Sequence, residues 1–116
     1  MSRREYADYL MDIHEAAVKG LSFIEGMSYD EFINDEKTIY AVIRALEVIG
    51  EATKRIPNDA RAMYPDIEWQ LMGRMRDKLI HDYFGVNLEV VWRTLQDDIP
   101  VLIANLNSPL NPDSIE

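Results

Sequence analysis

Apolar residues recur at intervals of three and four along most of the chain, the spacing that places side chains on one face of an α-helix. The first such stripe predicts a helix from about Tyr6 to Ile24, which Gly26 ends. The second predicts a helix from near Asp35 to about Arg55, which Pro57 stops. No segment alternates apolar and polar residues as a half-buried strand does. The pattern therefore predicts an all-α protein.

Two further stripes follow. A third helix is expected to begin near Asp66 or Glu68 and to end at Gly85, a favourable residue after a helix C-terminus. A fourth has Asn87 as its N-cap. Because proline cannot donate a backbone hydrogen bond, Pro100 is expected to kink this fourth helix.

The connections carry helical signals of their own. Ser28 and Glu31 have the Ser-x-x-Glu spacing of a capping box, which predicts a short helical turn. Residues 58–64 could add another turn before Pro65. We therefore expect an up-and-down bundle of four main helices plus short extra turns, forming one domain over residues 1–107, followed by a flexible tail over residues 108–116.

The charge balance limits the kinds of partner that suit the chain. Its 12 basic and 21 acidic residues give a formal net charge of −9, whereas a dedicated nucleic-acid-binding surface is normally basic. If the chain acts on RNA, it needs a local basic pocket. Alternatively, the acidic exterior serves to bind a basic protein partner. The chain has no cysteine and a charged N-terminus, and no apolar run near the roughly 18 to 20 residues that cross a bilayer. We expect a cytoplasmic protein that does not enter membranes.

The segment from Arg74 to Tyr83 concentrates groups suited to acid–base and phosphate chemistry. On an ideal helix Arg74, Asp77 and His81 share one face, so the Asp77 carboxylate can hold the imidazole and favour its protonated form. Arg76 and Tyr83 lie on a neighbouring face. A guanidinium beside an imidazole suits a phosphate and its charged transition state. The same residues could instead form solvated ion pairs and a cap at a helix end.

The order Arg76, four residues, His81, one residue, Tyr83 resembles the R-x4-H-x-Y motif of HEPN ribonucleases, in the form found in HepT toxins. Flanking blocks fit the same family pattern, so the resemblance covers about Leu10 to Leu106. These blocks are Ile49-Gly50-Glu51-Ala52, Tyr64-Pro65 with Trp69, His81-Asp82-Tyr83-Phe84-Gly85-Val86, Val91-Trp92 and Asp98-Ile99-Pro100. The short motif alone would be weak evidence, but its combination with the blocks is specific.

The resemblance implies a helical bundle that forms a homodimer, in which the Arg-x4-His segments of two protomers face each other. It also implies a metal-independent endoribonuclease without a cofactor. Arg76 would stabilise charge on the scissile phosphate, and His81 would act as general acid or base. The 2′-hydroxyl of the RNA would be the nucleophile and would leave a cyclic phosphate. Arg74, Asp77 and Glu51 would be auxiliary, with Glu51 either facing the cleft from the second helix or remaining an ordinary exposed carboxylate.

Tyr83 has a separate implication. In HepT-like pairs the antitoxin resembles a minimal nucleotidyltransferase, which silences the toxin by attaching AMP to the motif tyrosine. Tyr83 occupies that position. The resemblance therefore implies an MntA-like nucleotidyltransferase antitoxin as the protein partner. The other interpretation of Tyr83 is an aromatic residue packed at the end of the third helix.

One geometric problem and two other functions stay open. Arg76 and His81 lie about 140° apart on an ideal helix, so both cannot easily contact one phosphate from the same protomer. Either the helix is distorted near His81 or the two residues cooperate across the dimer, and we favour the dimer, with Arg74 as an auxiliary. The alternative functions are a non-catalytic HEPN subunit that docks a minimal nucleotidyltransferase, which the acidic charge favours, and a structural protein whose Arg-His-Tyr cluster only stabilises the dimer.

Overall fold

The computed structural model describes residues 5–73 and 87–110, and every regular element in these two ranges is helical. The elements are α1 (Tyr6–Phe23), α2 (Tyr29–Ile33), α3 (Glu36–Lys54), α4 (Asn58–Ala62), α5 (helical over 69–73), α6 (Leu88–Arg93), a π-helical turn (Thr94–Asp98) and α7 (Ile99–Leu110). The all-α prediction is confirmed for this part of the chain. The predicted end of the third helix at Gly85 lies outside the described residues.

Helix α1 packs along α3 on one side and against α7 on another. Its predicted apolar stripe is buried, and Ile13 and Ala17 are fully inaccessible to solvent. Gly20 faces α3 and the turn that carries Leu95: a Cβ atom added there would lie 3.5 Å from the Ala45 Cβ and 3.7 Å from a methyl group of Leu95. Small residues therefore allow α1 to lie close to both neighbours.

Local capping signals fix the ends of the first elements. The Ser28 hydroxyl accepts from the Glu31 N–H at 3.1 Å, and the Ser28 N–H donates to the Glu31 carboxylate at 2.8 Å, which confirms the predicted capping box. Gly26, after α1, has a φ of 78°, a conformation that favours glycine. Asp35 caps α3 by accepting from the Thr38 N–H at 3.1 Å. Hydrogen bonds from Ser28 lower the pKa of Glu31, and those from Thr38 lower the pKa of Asp35.

The predicted disturbance around Pro100 takes the form of a π-helical turn. Pro100 has no N–H, so the Gln96 carbonyl lacks the donor that an α-helix would supply. The turn at Thr94–Asp98 lies directly before α7 and keeps Leu95 fully buried. Helix α7 then continues to Leu110. The described helix therefore extends beyond the predicted domain end at residue 107, and residues 111–116 lie outside the described ranges.

Helix α3 is amphipathic along its whole length. Val42, Leu46 and Ile49 are buried on one face, whereas most of the charged residues of the helix are exposed on the other. Across residues 5–73 and 87–110, no helix combines the length and the apolar character needed to cross a bilayer.

Candidate functional site

The sequence predicts six residues with roles at the site, and only one of them is described. Arg74, Arg76, Asp77, His81 and Tyr83 lie outside the described residues, and their roles stay predictions. Glu51 is exposed on α3, between the buried residues Gly50 and Ala52. Its carboxylate therefore projects from the solvent-facing side of that helix, which agrees with both interpretations of it. What the structure describes of this region is Glu51 and the elements that flank residues 74–86.

Arg61 joins the end of α3 to α4. Its Nε donates to the Ile56 carbonyl at 3.0 Å, and its Nη2 donates to the Thr53 carbonyl at 2.8 Å. Thr53 is fully buried, and its hydroxyl donates back to the Ile49 carbonyl at 2.7 Å. The last carbonyls of a helix have no donor within the helix. One guanidinium therefore bonds to two carbonyls at the α3 C-terminus, and that of Thr53 also accepts the Ile56 N–H at 3.2 Å.

Trp69, the first residue of α5, bonds to the segment around Arg61. Its indole N–H lies 3.1 Å from both the Arg61 carbonyl and the Tyr64 carbonyl. The Arg61 guanidinium lies 5.9 Å from the centre of the indole ring, within the range of a cation–π contact. The Trp69 side chain is buried, at 8% exposure. We call this contact between Arg61 and Trp69 the Arg61–Trp69 clasp.

Two further contacts hold the turn between α4 and α5. The Asn105 side chain in α7 donates to the Asp66 carbonyl at 3.0 Å. The Tyr64 side chain lies near Tyr6 of α1, and burial followed by the effect of Tyr6 raises the pKa of Tyr64. The approach to residue 74 is therefore tied to α1, α3, α4 and α7.

The other flank of residues 74–86 is an N-cap. The side-chain oxygen of Asn87 accepts from the N–H groups of Glu89 at 3.0 Å and Val90 at 3.3 Å. This confirms the predicted N-cap of the fourth helix. The chain therefore leaves the motif segment directly into a capped helix.

Three carboxylates interact near the start of α5, those of Glu68, Asp97 and Asp98. Desolvation, then the neighbouring charges of Asp97 and Glu68, raise the pKa of Asp98 above its usual value. Asp98 is exposed, but its carboxyl is partly desolvated. The influence of Asp97 comes from the preceding residue in sequence. The influence of Glu68 could not be predicted because it comes from a distant part of the chain.

His14 lies away from these contacts. It is half-buried on α1, and its Nε2 lies 3.1 Å from the Asn107 side-chain oxygen. His14 is therefore a boundary residue of α1. In the part of the chain that the structure describes, no three His, Asp or Glu side chains are grouped as metal ligands.

Comparison with known proteins identifies the family. The description "Ribonuclease HepT-like" matches residues 13–108, a range that contains the whole motif from Arg76 to Tyr83. The chain belongs to the HepT-like ribonuclease family. The helical fold of the described residues agrees with this membership. Membership in the family supports an RNase activity.

Relatives in this HepT-like family carry ribonuclease names. A protein of Thermococcus cleftensis named "Probable ribonuclease HepT" is 52% identical over 100 residues, which cover 86% of this chain and 91% of the relative. Two proteins of Methanocaldococcus jannaschii named "Putative RNase" are 48% and 45% identical over 100 residues, with 86% of this chain and 83% of each relative covered. No solved structure matches the chain.

Proposed function

We propose that the chain is the toxin of a HepT/MntA-like toxin–antitoxin pair and acts as a metal-independent endoribonuclease. The observation that carries the proposal is the family match over residues 13–108, which includes the complete motif. The relatives named as ribonucleases support the same activity. RNA is therefore the proposed substrate, and Arg76 and His81 are the proposed catalytic residues.

In the proposed reaction, the 2′-hydroxyl of RNA loses its proton and its oxygen attacks the adjacent phosphorus. The bond to the 5′-oxygen breaks, that oxygen takes up a proton, and a cyclic phosphate and a 5′-hydroxyl end remain. His81 supplies a proton transfer, since imidazole titrates near neutral pH. Arg76 stabilises the charge on the phosphate oxygens, with Asp77 orienting the imidazole. Neither proton transfer requires a metal ion.

A homodimer is part of the proposal because of the helix geometry. An ideal helix separates Arg76 and His81 by about 140°, so two protomers that face each other would bring the two groups to one phosphate. Dimerisation would also pool Arg74, Arg76 and Lys78 in one locally positive cleft. A chain with a net charge of −9 needs such a cleft to attract RNA.

Cleavage of RNA by the purified protein in the presence of EDTA tests the activity and its metal independence together. His81→Ala and Arg76→Ala should each abolish cleavage. The matched controls His14→Gln and Arg93→Gln change a histidine and an arginine elsewhere on the protein, and they should cleave normally. Cleavage that survives both His81→Ala and Arg76→Ala refutes the assigned roles.

The proposed regulation is AMP transfer to Tyr83 by the nucleotidyltransferase antitoxin. An anionic phosphate next to Arg76 and His81 would neutralise the cleft and block it. Mass spectrometry after co-expression should show one added AMP on the wild-type chain and none on Tyr83→Phe. An adduct that persists in Tyr83→Phe would place the modification elsewhere.

The acidic net charge of −9 favours one other function, a non-catalytic subunit that docks a minimal nucleotidyltransferase. This function predicts a stable complex with the partner, no RNA cleavage by the free protein and no growth arrest on expression alone. The ribonuclease proposal predicts the opposite for the last two results.

A further inference from the structure

An open groove of about 490 Å³ lies between the C-terminal half of α1 and the start of α7. Most of its lining is apolar, and Val18 is 44% exposed, so the groove presents apolar surface to solvent. Its volume falls within the range of sites that bind ligands. We call it the α1–α7 groove. Among the side chains that line it are Val18 and Leu21 of α1, Leu95 of the π-helical turn, and Pro100 and Ile103 of α7.

The two helices that form the groove are held together one helical turn away from it. The His14 Nε2 lies 3.1 Å from the Asn107 side-chain oxygen. Val18 follows His14 by four residues, and Ile103 precedes Asn107 by four, so α1 and α7 run in opposite directions past each other. Because both walls belong to packed helices, the groove is formed before any ligand binds, as binding sites usually are.

The ionisable groups at the groove are acidic. The lining includes Glu25 and no Lys, Arg or His. The segments that form the groove continue this pattern: residues 20–36 contain carboxylates but no Lys or Arg, and neither residue type occurs after Arg93. Asp97, directly after the lining residue Gln96, is exposed. An acidic edge attracts a cationic partner and repels phosphates.

The neighbouring residues do not reverse this charge. Lys19 follows Val18 on α1, but its ammonium group forms an ion pair with Glu15 at 2.9 Å. At the π-helical turn, desolvation followed by neighbouring carboxylates raises the pKa of Asp98. Within the described ranges, no ion pair engages Glu25 or Asp97. Their charges are therefore available to an external cation.

The shape of the groove selects among the common ways of binding a peptide. An extended peptide adds to the edge of a sheet, and residues 5–73 and 87–110 contain no β-strand. Polyproline segments dock in grooves lined by aromatic residues, and no aromatic residue lines this groove. The remaining way is an amphipathic helix that lays an apolar stripe into an apolar groove. A groove between two helices fits this third mode.

We propose that the α1–α7 groove binds an amphipathic helical segment of a protein partner. The apolar side chains of that segment lie in the groove, and Lys or Arg residues on its flanks lie beside Glu25 and Asp97. The inference goes beyond the ribonuclease function and does not depend on it, because an acidic groove repels RNA. It gives the acidic exterior a specific use, the binding of a basic protein partner.

Fluorescence anisotropy with labelled synthetic peptides and the full chain tests the proposal. The probes are three peptides of about 18 residues, a length at which isolated helices form. They carry Leu, Met or Phe along one apolar stripe and Lys on both flanks. At least one should bind the wild-type protein. The same peptides with Glu in place of Lys should bind about tenfold more weakly or worse, because like charges then face each other.

Val18→Gln tests the apolar wall. It should raise the Kd of the Lys-flanked peptide about fivefold or more, the usual effect of losing a contact that anchors a partner. Met11→Gln is the matched control, since Met11 is 58% exposed on the same side of α1, two turns earlier, and does not line the groove. Its Kd should equal that of the wild type. Circular dichroism melts should show that both variants fold, because Gln is favourable in helices.

Glu25→Lys tests the charge. It should weaken binding of the Lys-flanked peptide about threefold or more at low salt and less at high salt, since salt screens exposed charges. The Glu-flanked peptide should bind Glu25→Lys more tightly than it binds the wild type, a gain that damage to the fold cannot produce. Glu5→Lys makes the same charge change before the first residue of α1 and should alter neither affinity.

Each result decides the proposal. A wild type that binds none of the peptides overturns it, and so do equal affinities for Lys- and Glu-flanked peptides or affinities unchanged in Val18→Gln and Glu25→Lys. Sedimentation that shows Val18→Gln splitting a dimer, without peptide binding by the wild type, would assign the groove to a second copy of the chain instead. Both variants should cleave RNA as the wild type does. Peptide binding without RNA cleavage by any of the proteins refutes the ribonuclease proposal alone.

Discussion

Arg61 and Trp69 contact each other through backbone and side chain at once: the indole N–H lies 3.1 Å from the Arg61 carbonyl, and the guanidinium lies 5.9 Å from the ring centre. The same guanidinium donates to the carbonyls of Thr53 and Ile56. The Arg61–Trp69 clasp therefore connects the end of α3, helix α4 and the first residue of α5. Because the predicted catalytic segment begins only a few residues later, the clasp sets the direction from which the chain enters that segment.

Arg61→Ala should destabilise the protein by about 2 kcal/mol. It removes the guanidinium donor of the Ile56 carbonyl and the cation over the ring, and it leaves the Thr53 carbonyl with the Ile56 N–H as its donor. Arg61→Lys should recover only part of this loss, because one ammonium group does not reproduce the two donors of a guanidinium. The measurement is urea denaturation followed by circular dichroism. Arg93→Ala, which removes an exposed ion pair, should stay within about 0.5 kcal/mol of the wild type. A similarly small effect for Arg61→Ala would show that the clasp contributes little.

Trp69→Phe tests whether the clasp positions the proposed catalytic segment. The change keeps a buried ring but removes the N–H that bonds to the Arg61 and Tyr64 carbonyls. We expect kcat for RNA cleavage to fall about tenfold or more, because small displacements of reacting groups slow a reaction by such factors. The Kd for 2′-O-methylated RNA, which lacks the proposed nucleophile and is not cleaved, should stay unchanged. If Trp69 only stabilises the fold, kcat should equal that of the wild type after correction for the folded fraction.

Gly20 allows a test of the packing between α1 and α3. A Cβ atom at this position would make ordinary contacts with Ala45 and Leu95, at 3.5 and 3.7 Å. Gly20→Ala should therefore stabilise the protein by about 0.5 to 1 kcal/mol, because alanine costs less conformational entropy in a helix. Gly20→Leu should destabilise it by about 1 to 3 kcal/mol, since the larger side chain has no room. Thermal melts of the two variants should shift in opposite directions. A Gly20→Ala variant less stable than the wild type would mean that the helices cannot yield even to a methyl group.

The parts of the fold that sequence could predict are those with local causes. The capping box at Ser28 and the N-cap at Asn87 each depend on residues within one helical turn, and both are confirmed. The disturbance near Pro100 follows from its missing N–H, although its π-helical form does not. The motif around His81 could be recognised because its spacing is fixed along the chain.

The contacts that sequence could not predict join separate elements. Arg61 and Trp69 are eight residues apart, and nothing in their spacing indicates that a turn brings one onto the other. Asn105 and Asp66 are 39 residues apart and meet only because α7 packs beside the turn before α5. The amphipathic pattern of α3, by contrast, predicts from sequence which of its faces is buried.

Asp98 has an effect on stability whose direction depends on pH. Desolvation, followed by the charges of Asp97 and Glu68, raises its pKa above the ordinary value of 3.8, so folding disfavours the charged form. Asp98 therefore destabilises the folded protein above its raised pKa, and this penalty vanishes below about 3.8, where both folded and unfolded chains are protonated. Asp98→Asn should raise the melting temperature near neutral pH and leave it unchanged at about pH 3.

Glu68→Gln provides the matched variant, because it removes one of the charges that acts on Asp98. It should also raise the melting temperature near neutral pH. The gain from both changes together should be smaller than the sum of the single gains, since either change alone removes their shared repulsion. Melts of the four proteins at about pH 7 and about pH 3 complete the comparison. A gain from Asp98→Asn that is equal at both pH values would contradict this account, because removal of a charge can act only where the charge exists.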